Sequence, residues 1–408
     1  MASFGSTSSR GLLAGLGRNV IVLGVVSLLT DISSEMLYPV IPLFLTAVLG
    51  APMTVVGLIE GAAEGAASLL KMLFGWISDR AARRKPFVVW GYGLSAVSKP
   101  LMALAGAWPV VLLARLVDRT GKGMRTSPRD ALIAASCDPG QRGKAFGLHR
   151  AMDTAGAVAG PLLALLFLAV WQVGYRAMFV IAFIPAALGV LALALVRAGD
   201  GEPCPKSAVP AGPRPPLSAG LKKFVAIYGV FALGNSSDVF LLLRAKEAGL
   251  GASGMLWVYV FYNAVYALAS TPAGWLSDRF GRRAVMTGGL AVFTLVYLGF
   301  ALDPAPAAIW VLFALYGFYA AAMEGVAKAQ VADLSVPENR GTAMGLMHSV
   351  TGLLAFAASA AAGWLWSNVS PSAPFFYGAA CALASAALFI LWKDCSGASA
   401  KRPDGSGS

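Results

Sequence analysis

Charge is scarce in this chain. Only 13% of its 408 residues are Asp, Glu, Lys or Arg, about half the share found in a soluble domain. That leaves too little polar surface for an ordinary water-soluble enzyme or binding module. Histidine is scarcer still, at two residues, which rules out a histidine-rich metal site. The four cysteines, Cys137, Cys204, Cys381 and Cys395, form neither a Cys-x-x-Cys pair nor a Cys/His cluster, so no zinc, haem or other cofactor site is indicated. No His-Glu-x-x-His, Gly-x-Ser-x-Gly or phosphate-cradling glycine loop occurs. The signatures of metalloproteases, serine hydrolases and nucleotide-driven pumps are therefore missing, and no enzyme activity is expected.

What the chain has instead is apolar length. Hydrophobic residues make up 57% of it, and the mean hydropathy is +0.69. Such a surface needs lipid as its solvent. The net charge of +12 does not signal nucleic acid, because the basic residues sit in short turns and form no patch interleaved with aromatics. The Ser-rich start gives way to an apolar run from about Val20 to Leu49. That run is longer than the core of a cleaved signal peptide and is expected to stay as the first spanning helix.

Apolar runs of about 20 residues mark spanning helices. Twelve are expected, the first six at Asn19–Leu49, Met53–Ser78, Pro86–Ala107, Trp108–Ser136, Gln141–Val170 and Tyr175–Val196. The other six fall at Gly220–Ala245, Ser253–Ser277, Ala284–Leu302, Pro306–Leu334, Asn339–Ser367 and Ser372–Trp392. Between the sets lies a Pro- and Gly-rich stretch that cannot span and reads as an extended linker. The expected organisation is a tail over 1–18, a six-helix bundle over 19–197, a linker over 198–219, a second six-helix bundle over 220–393 and a tail over 394–408.

Two internal repeats support this division. Gly75-Trp-Ile-Ser-Asp79-Arg80-Ala-Ala-Arg83-Arg84 returns as Gly274-Trp-Leu-Ser-Asp278-Arg279-Phe-Gly-Arg282-Arg283, an offset of 199. Pro139-Gly-Gln-Arg142-Gly143 returns as Pro337-Glu-Asn-Arg340-Gly341, an offset of 198. Lys and Arg crowd these turns and the linker, while the alternate turns are nearly bare, Arg176, Arg244 and Lys246 excepted. Positive-inside bias then puts both termini and the linker in the cytoplasm, with a bacterial inner membrane as the expected site.

The Gly75 to Arg84 turn between the second and third helices, with its echo at Gly274 to Arg283, resembles the signature of the major facilitator superfamily, and the resemblance extends over almost the whole chain. Arg115 resembles that family's arginine in helix four, although Asp118 and Arg119 stand where a Gln and a Gly usually follow. Gly156-x-x-x-Gly160-Pro161 resembles the helix-five motif of family antiporters, with Ala164 and Leu165 in place of its last glycines. The resemblance implies an all-α membrane protein of about twelve helices, in two six-helix bundles related by a pseudo-two-fold axis along the membrane normal, around a central cavity that opens alternately to each side. It also implies that Asp79 and Asp278 pair with basic groups across the cytoplasmic face. Gly75, Asp79, Arg80, Arg83, Arg84, Gly274, Asp278, Arg279, Arg282 and Arg283 would then act as a conformational gate; the alternative is a topology signal alone.

Ionisable residues inside a span are costly and mark function or mutual pairing. The fourth helix carries Arg115, Asp118, Arg119, Lys122, Arg125 and Arg129 at spacings of three and four, which places them on one face. Arg115, Asp118 and Asp153 are expected in structural ion pairs. Arg125 and Arg129, with Arg119 and Lys122, are the candidates for holding an anionic group, since paired guanidinium groups grip a carboxylate or phosphate. Asp31 and Glu35, one turn apart on helix one, and Glu60 and Glu64 on helix two are the candidate proton-coupling carboxylates. Glu324 and Lys328 align with Arg125 and Arg129 at the offset of 199 and are either cavity groups or an intrahelical pair. Tyr38, Tyr262, Asn263 and Tyr266 are candidate solute contacts, the alternative being packing. The expected function is proton-coupled export of a small organic solute, anionic or zwitterionic, by a chain working as a monomer in the bilayer. Proton-coupled uptake of an organic anion, and a non-transporting receptor or scaffold, remain the alternatives.

Overall fold

The computed structural model describes residues 16–38, 40–81, 83–197, 215–250 and 252–392. Most of the expected first tail and linker, and the whole expected second tail, lie outside the described residues, with Cys204 and Cys395. The first half folds as α1 (Arg18–Leu37), α2 (Val40–Leu43), α3 (Met53–Arg80), α4 (Lys85–Ala103), α5 (Trp108–Ala135), α6 (Arg142–Leu165) and α7 (Tyr175–Ala192). The second half folds as α8 (Ala219–Gly234), α9 (Val239–Glu247), α10 (Ala252–Phe280), α11 (Arg282–Ala301), α12 (Pro306–Asp333), α13 (Arg340–Asn368) and α14 (Ala373–Leu391). No strand occurs among the described residues.

Eight stretches are long and apolar enough to cross a membrane, including Arg18–Val48 and Ala219–Glu247, each of which contains two helices. Helices α3, α4, α5 and α10, of 19 to 29 residues, lie beside them and match a hydrocarbon core of about 30 Å at about 1.5 Å per residue. Counted this way the described residues supply twelve rods. The weak apolar character of α5 comes from seven ionisable residues between Arg115 and Asp130.

Every major packing pair in the first half has its counterpart in the second. Helix α1 packs on α6 as α8 packs on α13, and α3 on α5 as α10 on α12. The pairs α4–α5, α4–α7 and α1–α7 recur as α11–α12, α11–α14 and α8–α14. The halves meet through α6 on α10 and α3 on α13, themselves equivalent. This is the expected pseudo-symmetry.

Two expected rods are interrupted. The first ends its regular helix at Leu37, resumes as the four-residue α2 and closes in a π-helical segment, Phe44–Val48. The seventh breaks between Gly234 and Val239, where Asn235, Ser236, Ser237 and Asp238 stand. Short polar side chains of this kind compete for backbone hydrogen bonds and disfavour continuous helix. Pro128 lies within α5, which runs as one helix from Trp108 to Ala135.

The interiors of the halves differ. Ring stacks fill the second: Phe293 lies 3.9 Å from Tyr297, Phe231 meets Phe293 at 5.1 Å, and Phe300 meets Phe375 at 5.7 Å between centroids. The first half instead buries Lys99, Arg115, Asp118, Arg125, Arg129 and Asp130.

Candidate functional site

The Gly-x-x-x-Asp turns sit where the halves touch. Asp79, at the end of α3, accepts hydrogen bonds from the backbone N–H of Gly341 (3.0 Å) and Thr342 (2.6 Å) and from the Thr342 hydroxyl (2.9 Å). Asp278, at the end of α10, accepts from the N–H of Gly143 (2.9 Å) and Lys144 (2.8 Å). Each carboxylate thus caps the first turn of a helix in the opposite half. Free N–H groups and the positive end of the helix dipole make that position favourable for an anion. Each copy of one sequence repeat therefore docks on a copy of the other. Across the interface these aspartates meet helix N-termini, and each also pairs with a basic group of its own half at this face. Asp79 pairs with Arg84 at 3.3 Å, and Asp278 pairs with Arg282.

Glycine is required at these crossings. A Cβ on Gly75 would collide with the Gly341 carbonyl, and one on Gly274 with that of Gly143. The contact is backbone on backbone. Arg84 and Arg282 complete the closure by donating to the carbonyls of Pro337 and Pro139 in the opposite halves. Arg142 adds a cross-half ion pair to Asp333 at 2.7 Å. Arg80, Arg83 and Arg279 are exposed, with Arg80 and Arg279 lying over the rings of Trp76 and Trp275. Arg283 donates to the Trp392 carbonyl at 2.7 Å. At the same face, burial pushes the Cys137 thiol up to about 11, against the pull of nearby Arg142.

Above this closed face lies a cavity of about 410 Å³ between the halves. Its first-half wall comes from α1 (Asp31, Glu35), α3 (Lys71), α5 (Lys122, Arg125, Thr126, Arg129) and α6 (Arg150, Asp153, Thr154, Ala157). Its second-half wall comes from Asp238 at the broken rod, α10 (Tyr259, Tyr262, Asn263, Tyr266), α12 (Glu324, Lys328) and α13 (His348). Six basic residues and five carboxylates thus face one space, with the tyrosines on the second-half side. A narrow annex beyond it holds Tyr38, Arg115, Asp118 and Arg119, so Tyr38 and Arg119 lie outside the main cavity. Glu60 and Glu64 fall on α3, but their side chains are outside the described residues.

Arg125 and Arg129 are in different situations. Arg129 is tied to Asp130 through Nη2 at 3.0 Å and Nε at 3.1 Å, and reaches Ser27 at 3.3 Å and Tyr92 at 3.4 Å. Arg125 donates to Ser95 Oγ at 2.6 Å and lies 4.3 Å over the Tyr92 ring. Its Nε has no hydrogen-bond partner, and no carboxylate lies within ion-pair reach of it among the described residues. A buried guanidinium with no carboxylate in ion-pair reach has the chemistry to take up an anion.

Asp130 is the residue that sequence reasoning overlooked. It is fully buried and gathers Arg129, Lys328 at 3.3 Å and His348 at 2.8 Å. The last two belong to the other half, and 218 positions separate Asp130 from His348, so only the fold could join them. Glu324 and Lys328 do not form the intrahelical pair that was one of their two readings. Glu324 pairs instead with Arg150 of the first half at 2.9 Å. Arg150 also holds Asp153 at 2.6 Å and the Tyr266 hydroxyl. In the annex wall, Asp118 gathers Lys99 (2.8 Å), Arg115 (3.7 Å) and Arg119 (4.0 Å). Asp238 accepts from Tyr316 at 2.7 Å. Among the described residues no cluster could hold a metal ion.

The chain matches the family model for the Major Facilitator Superfamily over residues 23–245 and 224–408. An MFS-type transporter of Methanocaldococcus jannaschii is 39% identical over 382 residues, covering 92% of this chain and 95% of that one. The multidrug resistance protein MdtH of Yersinia pestis is 27% identical over 280 residues, 66% of this chain and 67% of that one. Among solved structures, the human organic anion transporter MFSD10 superposes with a TM-score of 0.76 at 19% identity, covering 91% of this chain and 99% of that chain. The transporter FucP in its outward conformation superposes with a TM-score of 0.74 at 12% identity, covering 91% and 97%. At these identities the two structures speak to the fold alone.

Proposed function

We propose that this chain, which belongs to the major facilitator superfamily, is a transporter that exports a small organic anion or zwitterion in exchange for protons. The observation that carries this reading is Arg125: a buried guanidinium with no carboxylate in ion-pair reach among the described residues, facing a cavity between two halves that meet at one face through backbone crossings, capping bonds and an ion pair. The basic turns at the closed face make it the cytoplasmic one. The cavity then belongs to the outward-facing state, in a bacterial inner membrane.

In this reading Arg125 grips the anionic group, Lys122 adds charge beside it, and Arg129 is held by Asp130 as scaffold. Tyr262, Asn263 and Tyr266 offer rings and an amide to the rest of the solute. Asp31 and Glu35 stand on α1 in the same space and carry the coupled proton. A proton on either weakens its hold on neighbouring cations, and an anionic solute competes for those cations. Proton and solute thereby alternate on one set of charges. Export rather than uptake is favoured by the likeness to a multidrug resistance protein and by Gly156 and Gly160. Both glycines sit against α1, where a Cβ would come within 2.8 Å of Leu28 O and of Glu35 Cβ.

The test is flux in proteoliposomes of known orientation, loaded with organic anions and zwitterions, under imposed pH gradients of each sign. Export by exchange predicts solute leaving the cytoplasmic side as protons enter. Solute moving in the same direction as protons would reverse the assignment, and no solute-dependent flux would remove it.

A further inference from the structure

Glu324 and Lys328 stand one turn apart on α12, and the first half holds both, with opposite charges. Arg150 of α6 takes Glu324 at 2.9 Å, while Asp130 of α5 takes Lys328 at 3.3 Å. Two ion pairs of opposite polarity therefore tie the halves together beside the cavity. They differ in wetness. The side chains of Arg150 and Glu324 are 26% and 43% exposed, whereas Asp130 is 0% exposed and Lys328 14%.

That difference decides which tie a solute can reach. A dry pair cannot exchange partners without leaving a charge stranded. A wetter pair can, because the displaced group goes to water. If an anionic group takes the place of Glu324 on Arg150, the guanidinium keeps Asp153 at 2.6 Å and stays aligned with the Tyr266 hydroxyl. Glu324 turns into the cavity, and one of the two ion pairs that tie the halves beside the cavity is gone. The groups facing Arg150 are Asp153 from α6, Glu324 from α12 and Tyr266 from α10; Ser27 of α1 and Arg129 of α5 brace them through Asp153 and each other.

We infer that the Arg150–Glu324 pair is a solute-displaceable latch between the halves, and that Arg150 recognises an anionic group by exchanging Glu324 for it. This rests on the transport reading for its solute, but the latch itself is testable without flux. The experiment measures distances by double electron–electron resonance on the full chain in lipid nanodiscs. Spin labels are placed at Asp138→Cys and Glu338→Cys, exposed positions in equivalent turns of the two halves, with the native cysteines replaced by serine.

The expected result is that Glu324→Gln raises the long-distance population at this face several-fold. Benzoate, succinate or inorganic phosphate is expected to do the same to the otherwise unaltered protein, and to add nothing in Glu324→Gln. Should Glu324→Gln fail to fold, Glu324→Asp shortens the reach while keeping the charge and gives a smaller shift of the same sign. An unchanged distribution in both variants overturns the latch. Insensitivity of the unaltered protein to all three anions, or an undiminished response in Glu324→Gln, overturns recognition by Arg150. A chain that opens on Glu324→Gln yet moves no solute keeps the latch and loses the transport reading.

Discussion

The two halves share a path but not an interior. At equivalent positions Lys99, Asp118 and Arg119 of the first half become Leu298, Gly317 and Phe318 of the second. Ion clusters hold the first half together, and stacked rings such as Phe293 on Tyr297 hold the second. Ring stacks satisfy themselves. Buried charges need partners, and in the transport reading Arg125, with no carboxylate in ion-pair reach among the described residues, is a demand for a ligand. The asymmetry thus divides labour: the first half supplies charge, and the second supplies a firm wall of tyrosines against which it works.

The largest effect should come from removing that demand. Arg125→Ala is expected to abolish solute flux while the protein still inserts and folds; near-normal flux would place recognition elsewhere in the first half. Next is Asp130→Asn, which strands Arg129 and Lys328 without their shared carboxylate. Breaking one side of a buried ionic group costs about 3–5 kcal/mol, so a large fall in thermal stability in detergent is expected, and a loss under about 1 kcal/mol would mean that water already serves the site. Glu35→Gln should uncouple flux from the pH gradient with folding unchanged, and persistent coupling would move the proton to Asp31 or to the second half.

The aspartate caps between the halves give a smaller and finer test. Asp79 receives three hydrogen bonds from the opposite half and Asp278 two. Asp79→Asn should therefore open the basic face more than Asp278→Asn, read as the rate of Cys137 alkylation followed by site-resolved mass spectrometry. Equal rates would show that the two crossings part as one. In the unaltered protein that alkylation should be slow at neutral pH and quicken as pH climbs toward about 11, since burial keeps the thiol protonated until then and only the thiolate attacks. The smallest change is expected from Lys99→Met. It removes one charged hydrogen bond to Asp118, about 1.5–3 kcal/mol, but leaves Arg115 and Arg119 in place.

The architecture was legible because spans and repeats are local or periodic: apolar length marks a crossing, and an offset near 199 marks the duplication. The broken seventh rod was legible too, in the run from Gly234 to Asp238, but a hydropathy reading passes over four polar residues. Partnership was not legible. Asp130 adjoins Arg129 in sequence, where side chains normally diverge around a helix, and its other partners come from α12 and α13. For the same reason, sequence could not separate Arg125 from Arg129: they have the same spacing and chemistry, and differ only in whether a carboxylate lies beside them in space.

The glycine crossings have a mechanical consequence. Where Gly75 meets Gly341 and Gly143 meets Gly274, backbone lies against backbone, with Ser78 and Asp79 beside one crossing and Ser277 and Arg282 beside the other. The seam is a butt joint, not a dovetail. When it parts, the N–H groups at its rim pass from a carboxylate to water. Its rim is held by a few capping bonds and by the Arg142–Asp333 pair, each adjustable by a single residue.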